Sequence, residues 1–317
     1  MRVLLIVNPS ASSVSPRSRR RTTAVIQESH DTTIVETKAR GHAAELAGKG
    51  AADDFAAVVV LGGDGTVNEA ANGLAGTDVI LAPLPGGSTN VFARTAGFSK
   101  SLRRAGPEVA AALTAGATRP LSLGCVSATT SAGVVADRHF LFHVGMGFDA
   151  QVVAQVERRA SLKRKVGQAV FVYATFATWL RHFDRANPHF ATHFPDGSSV
   201  DDGYYAVCLN SNPYTYFGRR PLNLAPEADG VRGLASFTVR SVGMGALTSL
   251  FASALRDGLS LRSRADVDYH CDLKSLTVVG HHPFSYQVDG DYLGEATELT
   301  FTHQPDQIRL LAAPGTS

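Results

Sequence analysis

Two apolar runs that each break into a glycine-rich turn and then a helix-compatible segment limit this chain more than any other feature. Val58, Val59, Val60 and Leu61 lead into Gly62-Gly63-Asp64-Gly65-Thr66. Val79, Ile80, Leu81 and Ala82 lead into Pro85-Gly86-Gly87-Ser88-Thr89-Asn90. The alternation is that of parallel α/β units, so both turns are expected at the same edge of one sheet, where open α/β folds place ligands. Gly62, Gly63 and Gly65 allow tight backbone with unobstructed amides, and a helix starting near Thr66 adds its dipole for an anion. One such turn is ordinary punctuation; two after consecutive buried strands point to a phosphate-bearing ligand.

Neither turn is a Walker A loop, because no Gly-Lys-Ser/Thr follows the glycines, and the first does not have the G-x-G-x-x-G spacing of dinucleotide folds. A carboxylate between glycines repels a triphosphate unless a metal or a hydroxyl proton intervenes. Asp64 therefore points toward Mg²⁺ or phosphoryl-transfer chemistry.

At 317 residues the chain can support two domains. Its 44% hydrophobic and 18% charged residues are those of a folded protein, and a formal charge of +2 gives no reason to expect a nucleic-acid surface. Cys125, Cys208 and Cys271 lie in or beside apolar runs without metal-ligand spacing, so buried thiols in a reducing compartment are expected. The opening MRVLLIVN is too short for a signal peptide, and no segment has about 18 uninterrupted apolar residues. The expectation is a cytoplasmic protein with, at most, peripheral membrane contact.

Residues 3–7 read as the first buried strand, ended by Asn8-Pro9-Ser10; Arg17, Arg19, Arg20 and Arg21 then either face phosphate or start a solvated helix. A strand is expected over 32–36 and helices over 41–50 and 108–113. From Leu121 the texture changes to short apolar or alternating runs, at 121–126, 139–144, 204–209 and 235–239, which marks a β-rich second domain from about residue 123. Within it, 151–183 has Arg158, Arg159, Lys163, Arg164 and Lys165 ahead of apolar residues at helical spacing: a core helix, or an approach to an anionic membrane. Another helix is expected over 241–258 and strands over 276–279, 284–288, 299–303 and 308–311, with Asp289-Gly290-Asp291 as a carboxylate-bearing turn. His143, His281 and His282 lack a complementary metal-ligand pattern.

Taken in order, Val7-Asn8-Pro9, Leu61 through Glu69 (LGGDGTVNE), Pro85 through Asn90 (PGGSTN), Gly145-Met146-Gly147-Phe148-Asp149-Ala150, Asn212-Pro213-Tyr214 and Val288 through Asp291 resemble the diacylglycerol kinase catalytic family, especially its soluble bacterial lipid kinases and sphingosine kinase relatives. The resemblance implies a two-domain α/β lipid kinase fold. A nucleotide-binding domain over 1–122, which the segment 299–317 can complete, precedes a larger β-rich lipid-substrate domain over 123–298 that carries helices, with ATP in the cleft. It implies ATP and Mg²⁺ as cofactors, with Asn8, Gly62, Gly63, Gly65, Thr66, Gly87 and Thr89 near the nucleotide. Asp64 resembles the acidic residue near the transferring phosphate and a water-mediated Mg²⁺ ligand. Asp291 stands where bacterial relatives carry a catalytic glutamate. The implied activity is phosphorylation of a lipid alcohol, diacylglycerol first, to phosphatidic acid; a homodimer through an exposed β edge is also open.

The chain departs from that pattern at Pro226-Glu227-Ala228-Asp229-Gly230-Val231-Arg232, where Val231 and Arg232 replace aspartates that hold a structural magnesium in relatives. That site is expected to be absent or rebuilt around the arginine. Two alternatives stay open: an NAD kinase, which shares the GGDGT run, and a catalytically inactive nucleotide-regulated lipid-binding module.

Overall fold

The computed structural model describes residues 1–157 and 183–313, so the basic and aromatic cluster read between Arg158 and Leu180 lies outside the described residues. The chain divides into two compact units, residues 1–122 together with the segment from Asp306 onward, and residues 123–305.

The first unit is a parallel α/β layer. Its strands are β1 (Arg2–Val7), β2 (Asp31–Glu36), β3 (Ala57–Gly62) and β4 (Ile80–Pro85), ordered β4-β3-β1-β2, with residues 309–310 of the last strand, β16 (Asp291–Leu311), added parallel to β4. β3 and β4 are buried along their whole length, which is why each reads as an unbroken apolar run. Helices α1 (Pro16–Ser29), α2 (His42–Ala52), α3 (Asp64–Leu74), α4 (Val91–Thr95) and α5 (Leu102–Ala115) connect the strands.

The start of α1 is written in the sequence: Pro16 opens the helix, and Ser15 accepts from the Ser18 amide in a reciprocal capping box. The basic residues that follow lie on an exposed helix, where Arg19 pairs with Glu36 at 2.7 Å. α5 begins at Leu102, before the expected 108. Pro107 removes one amide early in the helix, but buried Leu102, Ala105 and Val109 hold the turn in place. α2 and α3 cross at glycines: a Cβ on Gly73 would lie 2.2 Å from the Ala44 carbonyl oxygen and 3.0 Å from the Gly48 nitrogen.

In the second unit an antiparallel path runs β14 (Val267–Leu273), β13 (Leu234–Val239), β10 (Tyr205–Leu209), β7 (His143–Gly147), β15 (Ser275–Val288) and the first part of β16. β5 (Thr118–Thr130) pairs with β6 (Gly133–Phe140), and β8 (Phe190–His193) with β15 and with β9 (Ser199–Gly203). β11 (Thr215–Phe217) and β12 (Arg220–Leu222) form a separate hairpin. α6 (Phe148–Glu157) and α7 (Met244–Arg256) are the α-helices of this unit among the described residues, and a short 3-10 helix spans Leu259–Ser263. β10 shows how the unit is filled: Tyr205, Val207 and Leu209 join one apolar cluster while Ala206 and Cys208 join another, so both faces of the strand are covered.

Cys125 and Cys208 are buried as expected, and burial raises both thiols, Cys208 the further of the two. Cys271 corrects the reading made from its neighbours. It is exposed on β14, the last strand of the sheet path, where one strand face meets solvent. Among the described residues no helix is long and apolar enough to cross a membrane.

Candidate functional site

The ends of β1, β3 and β4, three adjacent parallel strands, carry three turns tied into one knot. The Gly86 amide donates to the Gly62 carbonyl at 2.8 Å, and the Ser13 amide and hydroxyl donate to the Gly86 and Gly87 carbonyls at 3.0 and 2.9 Å. Asn8 is anchored by its own amide on the Leu61 carbonyl and donates from Nδ2 to the Thr66 hydroxyl at 2.9 Å, which joins the β1 turn to the first turn of α3. The glycines are required by contact: a Cβ on Gly87 would lie 2.9 Å from the Gly63 Cα, and one on Gly62 would lie 2.7 Å from Thr66. At Gly65 a Cβ would meet nothing within 4 Å, so the open side of the knot is the N-terminus of α3. A helix leaves its first amides without internal acceptors and its positive dipole end unshielded, and such an end fits an anion.

Asn8, Gly62, Gly63, Gly65, Thr66 and Gly87 thus come together in the first unit, with Thr89 on the same turn as Gly87. Asn90, at a left-handed φ of 51°, closes that turn with reciprocal 2.7 Å bonds to Gly87. Asp64 bridges the two glycine turns. Its oxygens accept the Val91 and Phe92 amides at 3.1 and 3.0 Å, which caps α4 from α3. Burial raises its pKa, opposed by those two amides and by Arg94. The carboxylate expected to face a metal is therefore engaged in joining turns. Among the described residues no group of three or more His, Cys, Asp or Glu side chains is arranged to hold a metal ion.

The second unit carries Asp291. Val288 pairs with Asp291 across a two-residue turn whose central residues, Asp289 and Gly290, have φ of 48° and 88°, the left-handed pair of a type I′ hairpin. The Asp289 side chain turns back to accept the Leu141, Phe142 and His143 amides at 2.7 to 2.9 Å. Burial pushes Asp289 up to about 6 against those three donors. Asp291 accepts from Arg138 of β6 at 2.8 Å in a half-buried ion pair. Behind the hairpin, Asp149 is buried beneath Gly145 and holds Tyr214 and Gln287. His143, its ring tilted 31° against that of Tyr214 with centres 4.2 Å apart, is pushed down to about 3 by burial.

The loop that departs from the family pattern has its carboxylates taken by arginines. Asp229 Oδ1 accepts the Val231 and Arg232 amides at 2.9 Å, and its Oδ2 meets the Arg232 guanidinium at 3.0 Å. Glu227 is bound by Arg262 and by the Tyr269 hydroxyl. These residues do not fit a structural magnesium, because the positive charge that a dication would supply is already covalently present. Thermal unfolding of the nucleotide-free protein is expected to shift by less than about 1 °C between EDTA and excess Mg²⁺. A variant with Val231→Asp and Arg232→Asp should instead gain roughly 2–4 °C with Mg²⁺. Stabilisation of the unaltered protein by Mg²⁺ would show that the loop does hold the ion.

Sequence reasoning did not assign Arg138, Tyr214, Gln287 or Asp149. Asp149 had a signal, since it sits in the Gly145 through Ala150 motif; Arg138, in an exposed hairpin strand, had none.

Residues 2–126 match the family described as "Diacylglycerol kinase catalytic domain". The chain is 28% identical over 275 residues to the "Probable lipid kinase YegS-like" of Pseudomonas putida, covering 85% of this chain and 81% of that protein. In structure it resembles a diacylglycerol kinase from Bacillus anthracis strain Sterne, with a TM-score of 0.71, 20% identity, and coverage of 100% and 98% of the two chains. It resembles less closely an NAD kinase from Archaeoglobus fulgidus in complex with ATP, with a TM-score of 0.53, 11% identity, and coverage of 100% and 95%.

Proposed function

We propose, for a chain that belongs to the diacylglycerol kinase catalytic domain family through residues 2–126, that it transfers the γ-phosphoryl group of ATP to the hydroxyl of a lipid alcohol. Diacylglycerol is the first acceptor in this reading, with phosphatidic acid as product. The observation that carries the reading is the knot of three turns at the carboxyl ends of β1, β3 and β4, which leaves the N-terminus of α3 open to phosphate.

In the proposed reaction the acceptor oxygen attacks the γ-phosphorus, the bond from that phosphorus to the β–γ bridging oxygen breaks, and ADP leaves. The hydroxyl proton passes to the Asp291 carboxylate. Positioning and charge stabilisation account for most of the catalysis in such transfers, so the backbone amides near Gly63 to Thr66 serve by gripping the donor. Mg²⁺, arriving with the nucleotide, would neutralise charge on the phosphates; with both Asp64 oxygens already accepting amides, a water-mediated contact suits that residue better than direct ligation. Peripheral contact with an anionic membrane belongs to this reading because the acceptor resides there.

Purified protein given γ-labelled ATP and vesicles containing diacylglycerol, monoacylglycerol or a sphingoid base, with NAD in competition, is expected to put label into a lipid. Label on NAD alone would favour the nucleotide kinase reading. Binding of both ATP and lipid without labelled product at any Mg²⁺ concentration would leave a binding module.

A further inference from the structure

Asp149 is a buried carboxylate that the reaction does not use directly, and the chain takes unusual steps to place it. It is 6% exposed, in the first turn of α6, directly beneath β7. A Cβ at Gly145 would lie 1.7 Å from its Oδ2 and 2.6 Å from Gln287 Nε2, so the glycine opens the space the carboxylate occupies. Its Oδ1 accepts from the Tyr214 hydroxyl, and its Oδ2 accepts from Gln287 Nε2 at 2.7 Å. Gln287, fully buried on β15, uses its remaining oxygen to accept the Gly290 amide at 2.7 Å. Gly290 is the residue between Asp289 and Asp291.

We infer that Asp149 is a positioning residue for Asp291, acting through Gln287 and the Gly290 amide to fix the hairpin that presents the proton-accepting carboxylate. The inference rests on the kinase reading only for the role of Asp291. The chain of hydrogen bonds has one polarity. Gly290 can only donate, so Gln287 must turn its oxygen to the hairpin and its amino group to residue 149. Residue 149 must therefore accept on that side; on the other it accepts from Tyr214, whose hydroxyl could also receive a bond but would then need a different acceptor for its proton. A carboxylate accepts on both sides. Asparagine, the same size, cannot. With its oxygen toward Tyr214, its amino group faces the Gln287 amino group, and rotating Gln287 only moves the clash to Gly290. Turned over, it leaves the Tyr214 hydroxyl proton without its acceptor. Either arrangement leaves a buried donor unsatisfied, which weakens the hold on the hairpin.

The same logic names a rescue. With Asp149→Asn and Gln287→Glu together, the introduced asparagine accepts from Tyr214 and donates to the introduced carboxylate, whose second oxygen accepts from Gly290. The charge count and every hydrogen bond return. Gln287→Glu alone sets two carboxylates against each other and gains nothing.

The test is this double-mutant cycle, read in two ways. D149N is expected to lower kcat toward the best lipid acceptor by about 10–100-fold with KM for ATP within about 2-fold, and the double variant to recover to within about 5-fold of the starting enzyme. By NMR, exchange of the Gly290 amide should speed up about 10-fold or more in D149N and return in the double variant. Unchanged kcat and exchange in D149N, or a folded double variant no better than D149N in either readout, overturns the inference. Should D149N not fold, a folded double variant supports the polarity argument and an unfolded one defeats it. If no acceptor is phosphorylated by the unaltered protein, the kinase reading fails while Gly290 exchange still decides whether the network holds the hairpin.

Discussion

Replacing Asp291 with asparagine is expected to lower turnover by about 10²–10⁴-fold while leaving ATP affinity and folding nearly intact. Asparagine keeps the shape of the side chain but cannot take a proton from an attacking hydroxyl. The ion pair it breaks, Arg138 to Asp291, has both side chains between a quarter and a third exposed, and such pairs contribute at most about 1 kcal/mol. The hairpin itself rests on other bonds, the three amides held by Asp289 and the Gly290 amide held by Gln287. Stability and turnover should therefore separate cleanly. Steady-state kinetics, a nucleotide-binding titration and a melting curve on one preparation check all three. Near-normal turnover would reduce Asp291 to a hairpin carboxylate paired with an arginine.

Gly73→Ala should have the largest effect on stability. Alanine is favoured over glycine within a helix by about 1 kcal/mol, so on an open helix face the substitution stabilises. Here the added methyl meets backbone: 2.2 Å from the Ala44 carbonyl oxygen and 3.0 Å from both the Ala44 carbonyl carbon and the Gly48 nitrogen. A side chain could rotate away, but α2 must move. We expect a loss of about 3 kcal/mol or more, seen as a fall in Tm of at least about 6 °C. Because α3 begins at Asp64 and carries Thr66, whose hydroxyl accepts from Asn8, the shift should also weaken nucleotide binding. A Tm unchanged or raised would show that the two helices can separate at little cost.

How much of this was legible in the sequence depended on how far apart the partners lie. The strands of the first unit were readable because full burial makes them unbroken apolar runs, and their turns because glycine, asparagine and hydroxyl residues sit where backbone must bend. The Asp289-Gly290 hairpin carries the standard signal for a type I′ turn, and the departure at Val231 and Arg232 was plain because neither side chain can ligate a cation; the pairing of Arg232 with Asp229 is what the fold adds. What escaped are contacts made only in three dimensions. Tyr214 and Gln287 are 65 and 138 residues from Asp149, and Arg138 is 153 residues from Asp291. Asp64 shows a subtler limit: its place in a motif was legible, whereas its hydrogen bonds to the Val91 and Phe92 amides are made only in the fold. Cys271 was misjudged because apolar neighbours in a strand say little about which face, or which edge, a residue occupies.

The parallel sheet of the first unit is made early and completed last. Residues 309 and 310 supply the strand beside β4, so during synthesis Ile80 and Leu81 keep an unpaired edge while the ribosome adds most of the remaining chain. An open apolar edge of this kind invites pairing with other nascent chains.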